Sequence, residues 1–187
     1  MVFLRYNRCM QKFASDFAKN KVILRQEGMV AGEVEEVIIN PENGDFLGLV
    51  IGRRGKKKKL ALSEKDIIGV SNGFVLVRGA GSLGDLDEII RIKNARDQKI
   101  SIEHNRVYTL SNIFLGRVSD YSIDLVSGKL SRLYVQPWAI SKIASQHIID
   151  AKRIVSIKKN RITVEDAVVK GKKKVSLKAM PIKSECN

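Results

Sequence analysis

The chain has 187 residues, with 34 Lys and Arg against 20 Asp and Glu and a formal net charge of +14. Its 44% apolar content excludes a disordered polar polymer, and no apolar run reaches the roughly 18 residues of a membrane-crossing helix. Cys9 and Cys186 stand near opposite ends, which excludes a disulfide framework or cysteine metal cluster and makes a reducing cytoplasm the expected location.

Residues 1–12 read as an N-terminal arm. Arg5 and Arg8 interrupt the apolar start, so it lacks the core of a secretion signal. Its cations without acids faintly resemble a transit peptide, and Met10 offers an alternative start. From 13 to 80 the pattern is that of short strands. Val22–Arg25 is stopped by Glu27-Gly28, and Val30–Asn40 alternates, with Val34, Glu36 and Ile38 on one face and Glu35, Val37 and Ile39 on the other. Asn43-Gly44 closes a hairpin into Phe46–Gly52, because Asn-Gly tolerates positive φ. A basic loop, 53–59, leads to Leu60–Leu62. Ile67–Val70 and Phe74–Val77 then flank a second Asn-Gly turn.

Residues 81–98 read as a linker with one short helix starting at Asp85. Asp85 and Glu88 have capping-box spacing, and Leu86, Ile89, Ile90 and Lys93 form a stripe. From 99 to 166 strands return: Arg106–Leu110, Phe114–Asp124, Leu130–Gln136, Arg153–Ile157 and Arg161–Val164. Pro137–Ile143 reads as a loop with a helical turn. Residues 167–187 read as a lysine-rich flexible tail.

The second strand set copies the first at a period of 84. Gly32-Glu33-Val34-Glu35-Glu36-Val37 returns as Gly116-Arg117-Val118-Ser119-Asp120-Tyr121, and Asn43-Gly44 returns as Ser127-Gly128. A fixed period of this kind marks a duplicated unit, so the expected fold class is all-β: two small barrels in tandem, each with a modest core supported by a shared interface.

The positive charge is local. Arg53, Arg54, Lys56, Lys57, Lys58 and Lys59 supply six charges, residues 167–187 supply a net five, and only +3 remains elsewhere. Six cations in seven residues repel one another, so the loop is a candidate site for anions or nucleic acid, joined by Lys172, Lys173 and Lys174 of the tail. The alternative is a solvated loop and tail that keep the protein soluble. Aromatic content is 6%, and no Phe or Tyr cluster beside the loop suggests a stacking platform.

Other chemistry is thin. Gly79-Ala80-Gly81-Ser82-Leu83-Gly84 fits the dinucleotide fingerprint G-x-G-x-x-G, but a hairpin precedes it and Asp85, Asp87 and Glu88 follow, so a flexible joint is expected. His104 and His147 lack a second metal ligand at suitable spacing and read as surface or turn residues. Glu35 and Glu36 on opposite strand faces do not form a catalytic carboxylate pair. Glu36 and its counterpart Asp120 are expected to cap turns or accept backbone hydrogen bonds. Trp138 is either a core plug or, beside Pro137, a candidate protein contact.

Gly32-x-Val34-x-x-Val37-x-Ile39, Gly44, Gly48-Leu49-Val50 and Asp66-Ile67-Ile68 resemble the PRC-barrel domain, and Leu115-Gly116-Arg117-Val118-x-Asp120-Tyr121-x-Ile123-Asp124 with Gly128-Lys129-Leu130 resembles it again. Repeat two departs from repeat one at Ser131-Arg132 and around Trp138. The family includes the end domain of a ribosome-maturation factor and the H subunit of photosynthetic reaction centres. The resemblance implies a six-stranded barrel that binds macromolecules and carries no catalytic centre; it transfers no site residues.

The expected function is therefore a non-enzymatic binding or adaptor protein without cofactor, metal or small-molecule substrate. Its partner would be RNA, a ribonucleoprotein or a protein, with RNA or ribosome maturation slightly preferred. The alternative is an interaction scaffold at an anionic membrane surface or in cell division.

Overall fold

A computed structural model describes residues 11–71, 73–137 and 146–167. The first half carries β1 (Gln11–Phe13), β2 (Lys21–Leu24), β3 (Met29–Ile39), β4 (Phe46–Arg53), β5 (Lys56–Ser63), β6 (Ile67–Ser71), β7 (Phe74–Val77) and β8 (Leu83–Asp85). After α1 (Ile90–Asp97) come β9 (Arg106–Thr109), β10 (Phe114–Asp124), β11 (Lys129–Gln136), β12 (His147–Asp150), β13 (Ile154–Lys158) and β14 (Arg161–Val164). Most expected strands are present within a residue or two, and Phe114–Asp124 has the bounds its sequence indicates, but β5 starts at Lys56 rather than Leu60, and β1, β8 and β12 are additional.

Both halves thread six strands in the same order, β6-β7-β2-β3-β4-β5 and β13-β14-β9-β10-β11-β12. In each, the first strand runs parallel to the last, β2 beside β7 and β9 beside β14, and the other neighbours are antiparallel. A 3-10 turn carries the chain from β5 to β6, and another from β12 to β13. The chain is all-β, two curled sheets in tandem joined by a short helix. Each sheet also recruits a short seventh strand: β8 pairs with β5, and β1 crosses to the second half to pair with β10.

The two cores are one. A single buried cluster runs from Phe17, Phe46, Leu49 and Ile51 of the first half to Val118, Tyr121, Leu130 and Leu133 of the second. Small domains bury too little surface alone, and the halves here supply each other with apolar contact. At their junction the two hairpin turns exchange backbone hydrogen bonds. Phe46 N–H donates to the Gly128 carbonyl at 2.8 Å, and Leu130 N–H donates to the Gly44 carbonyl at 2.8 Å. The residues on each side are 84 apart, so the same bond is made twice about a local two-fold. Gly44 and Gly128 hold φ of +73° and +65°, the left-handed conformation these turns require.

A bulge overturns the simple alternation expected for β3. The register with β4 slips between Val34 and Glu36, so Val34 and Ile39 enter the main core while Ile38 belongs to a smaller cluster with Ile92 of α1. The second half slips at the equivalent place, between Val118 and Asp120. The extra residue in a bulge shifts every side chain after it to the other face.

A repeated buried asparagine locks both halves. Asn20 Nδ2 donates to the carbonyls of Asp16 at 2.6 Å and Ser71 at 3.1 Å. Asn105 Nδ2 donates to those of Ser101 and Lys158, both at 3.0 Å. In each pair one acceptor lies four residues back and the other in the closing hairpin. The preceding residues, Lys19 and His104, both have φ of +62°, so His104 is a turn residue as its isolation suggests.

The helix begins later than its sequence indicates. Asp85 belongs to β8, and α1 starts at Ile90 after an N-cap at Ile89 without a side-chain cap bond. The capping-box spacing at Asp85 and Glu88 loses to pairing with the edge of β5, where Leu60 faces Asp85. The same pairing corrects the expectation of a flexible joint: residues 79–84 form a 3-10 turn at Ala80–Ser82 and then a paired strand. With no helix following the glycines, the dinucleotide fingerprint has no phosphate site to form. Among the described residues no helix is long and apolar enough to cross a membrane.

Candidate functional site

The basic stretch is not a loop. Arg53 ends β4 and pairs directly with Lys56, the first residue of β5, leaving Arg54 and Gly55 as a two-residue turn with Gly55 at φ +73°. Lys56 to Lys59 thus lie along a strand, where successive side chains point to alternate faces. Lys58 reaches Asp85 of β8, Nζ to Oδ2 at 2.5 Å. Lys59 reaches Glu35 at 2.5 Å and Glu36 at 3.7 Å. The six cations therefore divide into two that the fold neutralises and four, Arg53, Arg54, Lys56 and Lys57, that make no ion pair among the described residues.

The division shows that the fold itself uses two of these six charges. It also corrects the reading of Glu35 and Glu36: the β3 bulge lets both carboxylates approach one lysine. Glu36 does not cap a turn. It takes a bidentate bond from α1, with Arg96 Nε and Nη2 each 2.9 Å from a carboxylate oxygen. That fork, reinforced by Lys59 against the opposing effect of partial burial, holds the Glu36 carboxyl below its ordinary range and raises Arg96. Asp85 likewise raises the Lys58 ammonium through their hydrogen bond. Asp120, by contrast, does accept a backbone bond, from Tyr121 N–H at 2.7 Å, and another from the Ser15 hydroxyl at 2.7 Å.

A shallow groove of about 990 Å³ runs beside the hairpin, with Lys19, Glu33, Arg53, Arg54 and Lys56 on its walls. Arg53 Nε is buried there without an acceptor. A second cleft, about 480 Å³, separates α1 from the second half and is lined by Glu36, Arg96 and Tyr121 among others. Its main charges already answer each other, and burial pushes the Tyr121 phenol well above its ordinary range.

Trp138 and Lys172, Lys173 and Lys174 lie outside the described residues, as does the helical turn expected after Pro137. Among the described residues of the first half, no second functional cluster joins the hairpin. What the sequence reading missed is the acid set from β3 and β8 that claims two lysines; the only linear signal is the bulge-prone pair Glu35-Glu36.

Residues 10–82 match the family described as the PRC-barrel domain. The match spans β1 to β7 and ends before β8; the second half is tied to the first by strand order, paired bulges and paired asparagines. None of the curated proteins compared with the chain matches it. A domain of this kind points to a binding or adaptor role in general terms.

Proposed function

We propose that this PRC-barrel protein is a non-catalytic cytoplasmic adaptor that binds RNA or a ribonucleoprotein through the tip of the β4–β5 hairpin. The observation that carries this reading is the set of four cations left over after the fold has paired Lys58 and Lys59. Arg53, Arg54, Lys56 and Lys57 repel one another across a tight turn, and a phosphate backbone would relieve that repulsion and release counterions. An incoming anion would also draw the Arg53 side chain from a position where its orphaned donor costs about 1–3 kcal/mol.

The test replaces Arg54, Lys56 and Lys57 with Ser and leaves the structural Lys58 and Lys59 intact. Fluorescence anisotropy with a single-stranded RNA, repeated across salt concentrations, should show weaker binding and a salt slope shallower by about 2, at roughly 0.7 per phosphate lost. Unchanged affinity and slope would refute the hairpin's role. If wild type ignores RNA but binds anionic vesicles, the membrane-surface scaffold replaces the RNA reading.

A further inference from the structure

We propose that the outward face of the second sheet, over β13, β14, β9 and β10, is a separate site for single-stranded nucleic acid, holding phosphates on a row of cations and bases on an adjoining aromatic pair. It extends the RNA reading to a surface remote in sequence from the hairpin and rests on that reading for its ligand class.

The row follows from register. Lys158 faces Arg161, Arg161 lies beside Arg106, and Arg106 faces Arg117, so four cations stand abreast on four adjacent strands. Neighbouring strands are about 4.8 Å apart, and like charges placed directly opposite destabilise a sheet. Val107 and Ile162, the intervening residues, are fully buried, which turns the cations outward. None of the four has an ion-pair partner among the described residues. Their bonds are to neutral groups: Arg161 Nη2 to Asn112 Oδ1 at 2.8 Å, and a long 3.4 Å contact from Arg117 Nη1 to the His104 carbonyl.

One step along the same strands, Tyr108 faces Phe114. Their rings are 5.1 Å apart with a 43° tilt, and the Arg161 guanidinium sits 4.3 Å over the Tyr108 centroid. Arg161 is thereby held by two contacts and links the cations to the rings. Phe114 is 38% exposed. A groove of positive charge beside aromatic faces is the arrangement that holds unpaired bases without reading their sequence. Glu165, the next acid after Arg161 in the chain, follows the C-terminal end of β14 rather than standing in the row.

The first half is the internal control. At the positions of Arg106, Arg117 and Arg161 it has Lys21, Glu33 and Phe74, with Lys21 directly opposite Glu33. There the cross-strand pair is of opposite sign. The fold is formed without an arginine row, so the row in the second half is not required by the architecture.

Anisotropy with a labelled twelve-nucleotide oligouridylate, its abasic counterpart and inorganic polyphosphate as competitor separates the outcomes. On the full chain, Arg106→Ser with Arg117→Ser should weaken both oligomers at least tenfold and lower the salt slope by about 1.4. Phe114→Leu should weaken oligouridylate about fivefold or more and leave the abasic oligomer unchanged, since stacking needs the base. Circular dichroism melts verify folding, and Arg106→Lys with Arg117→Lys should keep most of the affinity. Loss in the hairpin variant alone overturns this site and leaves the hairpin reading standing; loss in the face variants alone does the reverse. Equal binding of the two oligomers, indifferent to Phe114→Leu, overturns the nucleic-acid assignment in favour of a plain anion patch.

Discussion

Replacing Asn105 with Ala tests how the two halves are held. The side chain is 5% exposed and makes three bonds: Nδ2 to the Ser101 and Lys158 carbonyls, and Oδ1 from Arg106 N–H at 2.9 Å. Truncation orphans two carbonyls and one donor. Each orphaned buried group costs about 1–3 kcal/mol; the bond from the Arg106 amide is only part-buried, so a total of about 2–5 kcal/mol is expected. For a chain of this size that lowers the melting temperature by roughly 4–20 °C. Asn20→Ala breaks two such bonds and should cost somewhat less. Since one cluster spans both sheets, either variant should keep a single cooperative transition in urea followed by circular dichroism. A loss under about 0.5 kcal/mol would refute the locking role. A transition splitting in two would refute the shared core.

Four further outcomes follow from the geometry. Gly116→Ala and Gly48→Ala place a methyl against the carbonyl oxygens of Gln136 and Leu62 at φ of +139° and +145°; each should cost about 3 kcal/mol, read by urea midpoint. Glu36 has a folded pKa below its ordinary 4.5 because of Arg96, so its contribution is present above about pH 4.5 and fades as pH falls through the lower folded value. The stability gap between wild type and Glu36→Gln should therefore narrow on acidification in that window. Being partly exposed, the pair is worth about 1 kcal/mol at most. Lys57→Ser should leave stability within about 0.5 kcal/mol, whereas Asp85→Ala, which frees Lys58 and loosens the β8 edge, should lower the urea midpoint.

Much of the architecture was legible because its signals are local. Asn43-Gly44 and Gly128 dictate turns, and apolar alternation marks the strands between them. Three features escaped because distant segments decide them. The lysines 56–59 carry no apolar residue, so periodicity is silent there and only pairing with β4 makes them a strand. The helix start failed because a cap preference near 1 kcal/mol yields to several ladder bonds along β5. The pairing of Tyr108 with Phe114 spans a turn and depends on the register shift that follows Phe114, so their spacing in the chain conveys nothing about contact. The asparagine locks were visible in principle, since Asn20 and Asn105 fall 85 apart, one position off the repeat.

The doubled bond between the Gly44 and Gly128 turns makes the junction symmetric. Identical atoms serving both sides of a junction are what two equal subunits make across a dyad. Joining them in one polypeptide makes that association independent of concentration. It also frees each copy from having to match its twin, and the equivalent positions Glu33 and Arg117 do carry opposite charges.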